Sequence, residues 1–478
     1  MFKYILHYAP AKILPGLINF IGLTIYARIF TQEEYGRYSY VFATLGLIQS
    51  ILFPWIRMSV ARFYQKYNKQ GKESEYENFT MFIFLIVSIA LIIGWMFFLS
   101  FFYIDPKLKT LYILGLFVIL SQSLFEQLMS LARAKLQSNI FLFSMVSKAV
   151  LKILLVLILV LLFNLNEKAL LIGIIISHMF PIYIYMKKFF NYDIKYMKLN
   201  KSFIKETFHY GFPLTFTFLL TFIINSSDRI LIKYFLDDKS VGLYSIPYEF
   251  TTFTLTNVFM VFGMAFFPVI VRELEHIGLN QAKKRVLQYS SILLTFTIPT
   301  TMFMYMLAPE IAGLFLGDNY NSPEAIRIIQ LISIAAFFGG LKAYFFDYAF
   351  QLGKNTYKQI IPVVIAAFIN IISNIILLPI LGVIGAVIGT LLAYIIGIFV
   401  SVVIGRKLFP MRVPLKHLSK ILFINLILFI VLFNLPPLEN SWIQLFTGVL
   451  VGGLTYIFLM FAFNIINVRK MFIGKIKN

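Results

Sequence analysis

Fourteen apolar stretches, separated by short polar breaks, run almost end to end through this chain of 478 residues. A helix needs about 20 mostly apolar residues to cross a hydrocarbon core of roughly 30 Å. The stretches lie near 12–30, 37–60, 79–102, 111–132, 138–163, 168–186, 208–227, 243–268, 286–306, 326–350, 359–378, 383–404, 421–436 and 442–466. The thirteenth is the shortest, and the second and eighth are long enough to tilt. Composition agrees: 60% of the residues are apolar, 13% are charged, and the mean hydropathy is +0.84. A soluble domain carries about 25% charged residues, and no globular interior could hide this much apolar side chain. The expected fold class is an all-α polytopic membrane protein. Cysteine is absent, and the five histidines form no HExxH pair. This excludes disulfides, Cys-ligated zinc, iron–sulfur clusters and a thiol nucleophile, so no metal or cofactor is expected.

The net charge of +21 would suggest nucleic acid in a soluble protein. Here it follows topology. With the N-terminus in the cytoplasm, 30 of the 42 Lys and Arg residues fall in cytoplasmic segments and 9 in outer ones. The other three, Lys148, Lys152 and Lys342, lie within spans. That alternation obeys the positive-inside rule and puts both termini in the cytoplasm. It removes any need for a nucleic-acid partner. No small-residue cleavage site follows the first apolar run, which reads as an uncleaved span. The loops are too short for a folded domain, so the work is done inside the membrane.

An internal repeat organises the spans. After the first span the chain reads Phe30, an acidic turn, then Gly36-x-Tyr38-Ser39; after the seventh it reads Phe235, an acidic turn, then Gly242-x-Tyr244-Ser245. The helices that follow end in Val60-Ala61-Arg62 and Val269-Ile270-Val271-Arg272. Six spans separate the copies, so each starts facing the same way, as in parallel-repeat transporters. The expected domains are a six-helix lobe at 1–190, a basic cytoplasmic linker at 191–207, a second six-helix lobe at 208–405, and two extra helices with a basic tail at 406–478.

Asp228-Arg229-Ile230-Leu231, followed by Gly242-x-Tyr244-Ser245, resembles the polysaccharide-export flippases. These Wzx-type proteins belong to the multidrug/oligosaccharidyl-lipid/polysaccharide (MOP) exporter superfamily. Gly36-x-Tyr38 with Arg62-Phe63, and Phe267-Pro268 with Arg272, fit the same pattern. Each motif is short; their order along fourteen spans carries the match. The resemblance implies two six-helix lobes around a central cavity that opens alternately to each side of the plasma membrane. Its implied cargo is an undecaprenyl-pyrophosphate-linked oligosaccharide, moved from the cytoplasmic to the outer leaflet. Membrane lipids, a polysaccharide polymerase and other assembly proteins are the implied partners, with coupling to either Na+ or H+ left open.

An ionisable side chain at membrane depth costs at least about 2.5–3.5 kcal/mol, so each needs a reason. Six stand out: Glu126, Lys148, Lys152, Glu249, Lys342 and Asp347. Lys148 and Lys152 are four apart and share a helical face. The equivalent helix of the second repeat carries Asn370 and Asn374 at the same spacing. Neither stripe can face lipid; each faces the cavity or a neighbouring helix. Two adjacent cations with no acid on their own helix suit a phosphate, which lysine binds as a point charge. Pairing with Glu126 or Asp347 is the structural alternative. Lys342 and Asp347, five apart, share no α-helical face and are expected to pair across helices, with Lys342 also a candidate substrate ligand. Glu249, beside Pro247, is either a protonatable coupling group or a structural carboxylate. Arg57 and Arg62 suit lipid-phosphate contact at a cytoplasmic helix end, and His178 suits helix packing.

A lipid II flippase and a cation-coupled multidrug exporter are the nearest rival readings. The drug-exporter pattern places an acid in the first span, which Ile13–Ile29 lacks. A membrane-embedded polymerase or glycosyltransferase is the alternative of a different class. Such transferases use a metal-binding Asp-x-Asp, whereas this chain has only Asp237-Asp238 in an outer turn. The expectation is therefore a transporter and not an enzyme.

Overall fold

The structure, a computed structural model, describes residues 2–190, 193–196 and 200–465, with side chains from Leu14 onward apart from Ile194. Five positions of the expected linker (191, 192 and 197–199) and the basic tail 468–478 lie outside the described residues. Seventeen α-helices occur among the described residues, and no strand. They are α1 (Phe2–Ile29), α2 (Gln32–Leu52), α3 (Pro54–Asn68), α4 (Glu73–Phe101), α5 (Pro106–Ala134), α6 (Ser138–Phe163), α7 (Lys168–Phe189) and α8 (Lys201–Phe235). Then follow α9 (Asp238–His276), α10 (Leu279–Met306), α11 (Ala308–Ile311), α12 (Pro323–Leu341), α13 (Tyr348–Leu352), α14 (Ile360–Leu381), α15 (Val383–Gly405), α16 (Leu415–Phe433) and α17 (Ser441–Ala462).

Eleven helical segments are long and apolar enough to cross a bilayer, and two bent pairs raise the number to thirteen. The apolar part of α1 whose side chains are described, Leu14–Ile29, is a shorter apolar helix. The second expected span is not continuous: α2 and α3 meet at 46° across Phe53. Pro54 has no N–H for the carbonyl four residues back, and its ring crowds the preceding turn, so the helix breaks there. α10 turns by 71° into Ala308–Leu316. At 1.5 Å per residue, α8 and α9 are about 50–60 Å long, so their ends project beyond the hydrocarbon.

Packing divides the chain into two units, between Gly242 and Leu243. In the first, α6 lies against α1 and α7, α5 against α3 and α7, and α8 against α2 and α3. The repeat begins its second copy at α8, whereas packing groups α8 with the first unit. The two boundaries describe different things, sequence duplication and contact. In the second unit α14 and α15 form a tight hairpin through Gly382, whose φ of 59° suits glycine. α16 and α17 dock on α10 through Leu294, Ile424, Leu428 and Tyr456. Large apolar side chains such as Ile93, Phe97, Phe423 and Phe458 remain exposed, as lipid-facing residues must.

Both copies of the acidic turn are helix caps. Thr31 and Glu34 form a reciprocal capping box on α2, and Asp237 Oδ1 accepts from Ser240 N at 2.7 Å to start α9. The glycines beyond these caps then meet. A Cβ on Gly36 would overlap the Asp238 carbonyl, and one on Gly242 would overlap the Gln32 carbonyl. This reciprocal contact puts the two motif copies at one depth, on one side of the membrane, as a parallel repeat requires.

Candidate functional site

α6 carries Lys148 and Lys152 one turn apart, and both are half-buried. Lys148 Nζ lies 4.5 Å from the ring centroid of Phe125 on α5. Lys152 Nζ lies 5.7 Å from that of Tyr26 on α1. His178 on α7 is buried, packs edge-on against the same Phe125 at 5.1 Å, and donates from Nδ1 to the Ile174 carbonyl at 2.6 Å. It is a helix-packing histidine.

A ring face stabilises an ammonium without neutralising it, by about 0.5–2 kcal/mol. This matters because Glu126 makes no direct ion pair with Lys148. Its carboxylate is bonded instead by Arg57 Nη1 and lies 3.5 Å from Gln122 Nε2. Arg57 sits in the first turn of α3, just past the helix break, and also covers the Phe218 ring of α8 at 5.3 Å. Ser130 Oγ donates to the Arg57 carbonyl at 3.0 Å. Lys148 makes no ion pair among the described residues. Arg57 and Glu126 therefore pair beside Lys148 inside the first unit. The guanidinium expected to contact lipid phosphate is held by a protein carboxylate, because the break at Phe53 and Pro54 redirects α3. Arg62, one turn further on, is exposed.

The second unit holds a different arrangement. Lys342 and Asp347 pair directly, Nζ to Oδ2 at 2.8 Å, and both are buried. The expectation that they pair across helices is wrong, for a local reason. Lys342–Phe346 is a π-helical turn, and its wider winding brings residues five apart onto one face. Ser401 Oγ on α15 donates to Asp347 Oδ1 at 2.7 Å, and Gln359 Nε2 lies 3.5 Å from Oδ2. Asn370 and Asn374 are fully buried. Asn370 Nδ2 donates to Thr390 Oγ1 on α15 at 3.4 Å, and the Asn374 amide packs on Gly389. This polar stripe faces a neighbouring helix. Glu249 is half-buried on α9. Lys342 and Asp347 thus come together, and so do Lys148 and Lys152. Within the first unit, Glu126 bonds Arg57 and makes no ion pair with Lys148.

Sequence reasoning missed two ion clusters. Arg37 joins Glu33 at 2.6 Å and Glu167 at 2.9 Å, tying α2 to the start of α7. The i, i+4 spacing of Glu33 and Arg37 was the available signal. Lys135 bonds Glu77 at 2.8 Å and the Phe189 carbonyl at 3.0 Å. Burial raises the Glu77 carboxyl above its ordinary value, and the Lys135 ammonium pulls it back only in part.

Over residues 3–273 the sequence matches the family described as polysaccharide biosynthesis protein. That is more than half of the chain. The protein belongs to this family. This polysaccharide biosynthesis protein also matches the MatE family over residues 213–381, and none of the curated proteins matches it. Among solved structures it is similar to the lipid II flippase MurJ in an inward closed conformation, with a TM-score of 0.75 and 19% identity, covering 96% of this chain and 99% of that one. It is similar to a multidrug resistance MATE transporter of the MOP superfamily in its inward-facing conformation, with a TM-score of 0.55 and 16% identity over 84% and 97% of the two chains. A Vibrio cholerae MATE transporter gives 0.54 and 15%, over 85% and 96%. Identities this low establish the fold alone. With the family match, the protein is a polysaccharide biosynthesis protein that has the fold of these flippases and transporters, and its many apolar helices make it a multi-pass membrane protein.

Proposed function

We propose that this protein flips an undecaprenyl-pyrophosphate-linked oligosaccharide from the cytoplasmic to the outer leaflet of the plasma membrane, for cell-surface polysaccharide assembly. Transport proceeds by alternating access, without chemistry on the cargo, and Na+ or H+ drives it. Both termini are cytoplasmic. One observation carries the reading: inside the first unit Lys148 lies on the Phe125 ring and makes no ion pair among the described residues, while Arg57 holds Glu126. An ammonium placed so attracts a pyrophosphate and repels a cationic drug. At about 4 Å and an effective dielectric of 20, opposite charges attract by roughly 4 kcal/mol, which dehydration partly offsets. The match to the polysaccharide biosynthesis family supports the glycan part of the cargo.

Replacing both lysines with Gln removes the charge and keeps most of the length. Export of surface glycan should collapse while membrane insertion survives, and lipid-linked oligosaccharide should accumulate on the cytoplasmic face. Replacement with Arg should be milder, because charge matters here more than fork geometry. Normal export by a well-expressed double Gln variant would refute the site. Lipid II is a second reading of the cargo, favoured by the whole-chain likeness to a lipid II flippase. Rescue of cells depleted of their lipid II flippase, with surface glycan unchanged on deletion, would select it.

A further inference from the structure

The break between α2 and α3 contains a small polar cavity beside the Arg57–Glu126 pair. Its walls include Gln49, Phe53, Pro54, Arg57, Ser123, Glu126 and Gln127. It leaves about 10 Å³ for the centre of a water-sized molecule, which is room for one. Two polar side chains in its wall are almost fully buried, Ser123 at 3% exposure and Gln127 at 2%. Among the described residues, neither Ser123 Oγ nor Gln127 Nε2 has a hydrogen-bond partner. Buried polar groups are rarely left so, and sharp kinks recur where water inserts into a helix ladder. Here Pro54 has already removed one rung of that ladder.

We propose that one ordered water occupies this cavity, bound by Ser123 Oγ and Gln127 Nε2, with Gln49 or Glu126 as further partners. The walls select a neutral molecule: the Arg57 guanidinium repels a metal cation, and the Glu126 carboxylate repels an anion. A water accepts from Gln127 Nε2, can donate to or accept from Ser123 Oγ, and brings no charge that would need a partner. It also gives the hinge a partner that can shift as the α2–α3 angle changes, where a direct bond would break.

The test uses the full chain in lipid nanodiscs. X-ray hydroxyl-radical footprinting splits a bound water in place and oxidises the rings beside it. Phe53 and Phe84 line the cavity at 5% and 4% exposure, whereas Phe30, at 1%, does not line it. Oxidation of Phe53 and Phe84 is expected several-fold faster than that of Phe30, and reduced to its level in the Ser123→Ala/Gln127→Met variant. Equal rates for all three rings in the unaltered protein would overturn the proposal. Thermal unfolding gives an independent sign. With the water bound, the double variant loses its bonds and Tm falls by about 2 °C or more. In a dry cavity the substitutions remove two orphaned groups, so a rise in Tm would equally overturn it.

Discussion

Removing the ammonium from Lys342 should destabilise the second unit far more than removing the whole ion pair. Lys342 Nζ and Asp347 Oδ2 are 2.8 Å apart, with side chains 8% and 5% exposed. At that distance and an effective dielectric of 20, their attraction is about 6 kcal/mol before desolvation is charged against it. Lys342→Met keeps the stem that packs on Gly397 but strands the carboxylate. Ser401 still donates to Asp347 Oδ1, which limits the damage. Orphaning one member of a buried pair typically costs about 3–5 kcal/mol, and the lower end is expected here. Lys342→Met/Asp347→Leu removes both charges, and apolar replacement of a buried pair is often neutral, so it should return to within about 1–2 kcal/mol of the parent. Thermal unfolding of the four proteins of the double-mutant cycle, in one detergent, measures the coupling. The expected coupling is at least about 2 kcal/mol. If the double variant is as unstable as the sum of the singles, the two groups do not depend on each other and the reasoning fails.

Gly242→Ala should lower Tm clearly, despite the gain of up to about 1 kcal/mol in helix propensity, because its Cβ meets the Gln32 backbone carbonyl rather than a movable side chain. Gly94→Ala, with nothing within 4 Å, is the control and should be neutral or slightly stabilising; equal effects at both sites would refute the close contact of the motifs. At the end of α8 that projects from the membrane, the bond from Lys66 holds Glu206 below the ordinary glutamate value. Arg285 does the same for Glu273 at the end of α9. A depressed folded pKa gives stability that is present above the unfolded pKa and lost as pH falls through the folded one. Glu206→Gln and Glu273→Gln should therefore lower Tm near neutral pH and converge on the parent as pH falls through the depressed folded value; a gap that widens on acidification would reverse the sign and sink the assignment.

Lipid makes the coarse architecture legible. Every span must be an unbroken apolar run or a broken one whose backbone finds partners elsewhere, so the fourteen runs could be read directly. The two motif glycines were legible because Gly36 and Gly242 sit where a side chain would strike a backbone, a demand that only glycine meets. Charge partners were less legible. Glu126 had three cations within plausible reach, and the choice of Arg57 depends on a helix break that turns α3 toward α5. Pro54 signalled a kink but not its direction. Lys342 and Asp347 were misread because i, i+5 is a poor α-helical pairing, and the π-turn that corrects it leaves no mark in hydrophobic periodicity. The burial of Asn370 and Asn374 could be inferred, since lipid rejects an amide pair, but their seat against α15 could not. In each case the membrane dictates that a polar group has a partner, while the partner is chosen by local departures from the ideal helix. A hydropathy pattern averages over those departures. Lys148 shows the same dependence: its ammonium rests on Phe125 rather than on a carboxylate, a placement set by how α5 and α6 pack and left unrecorded in hydropathy.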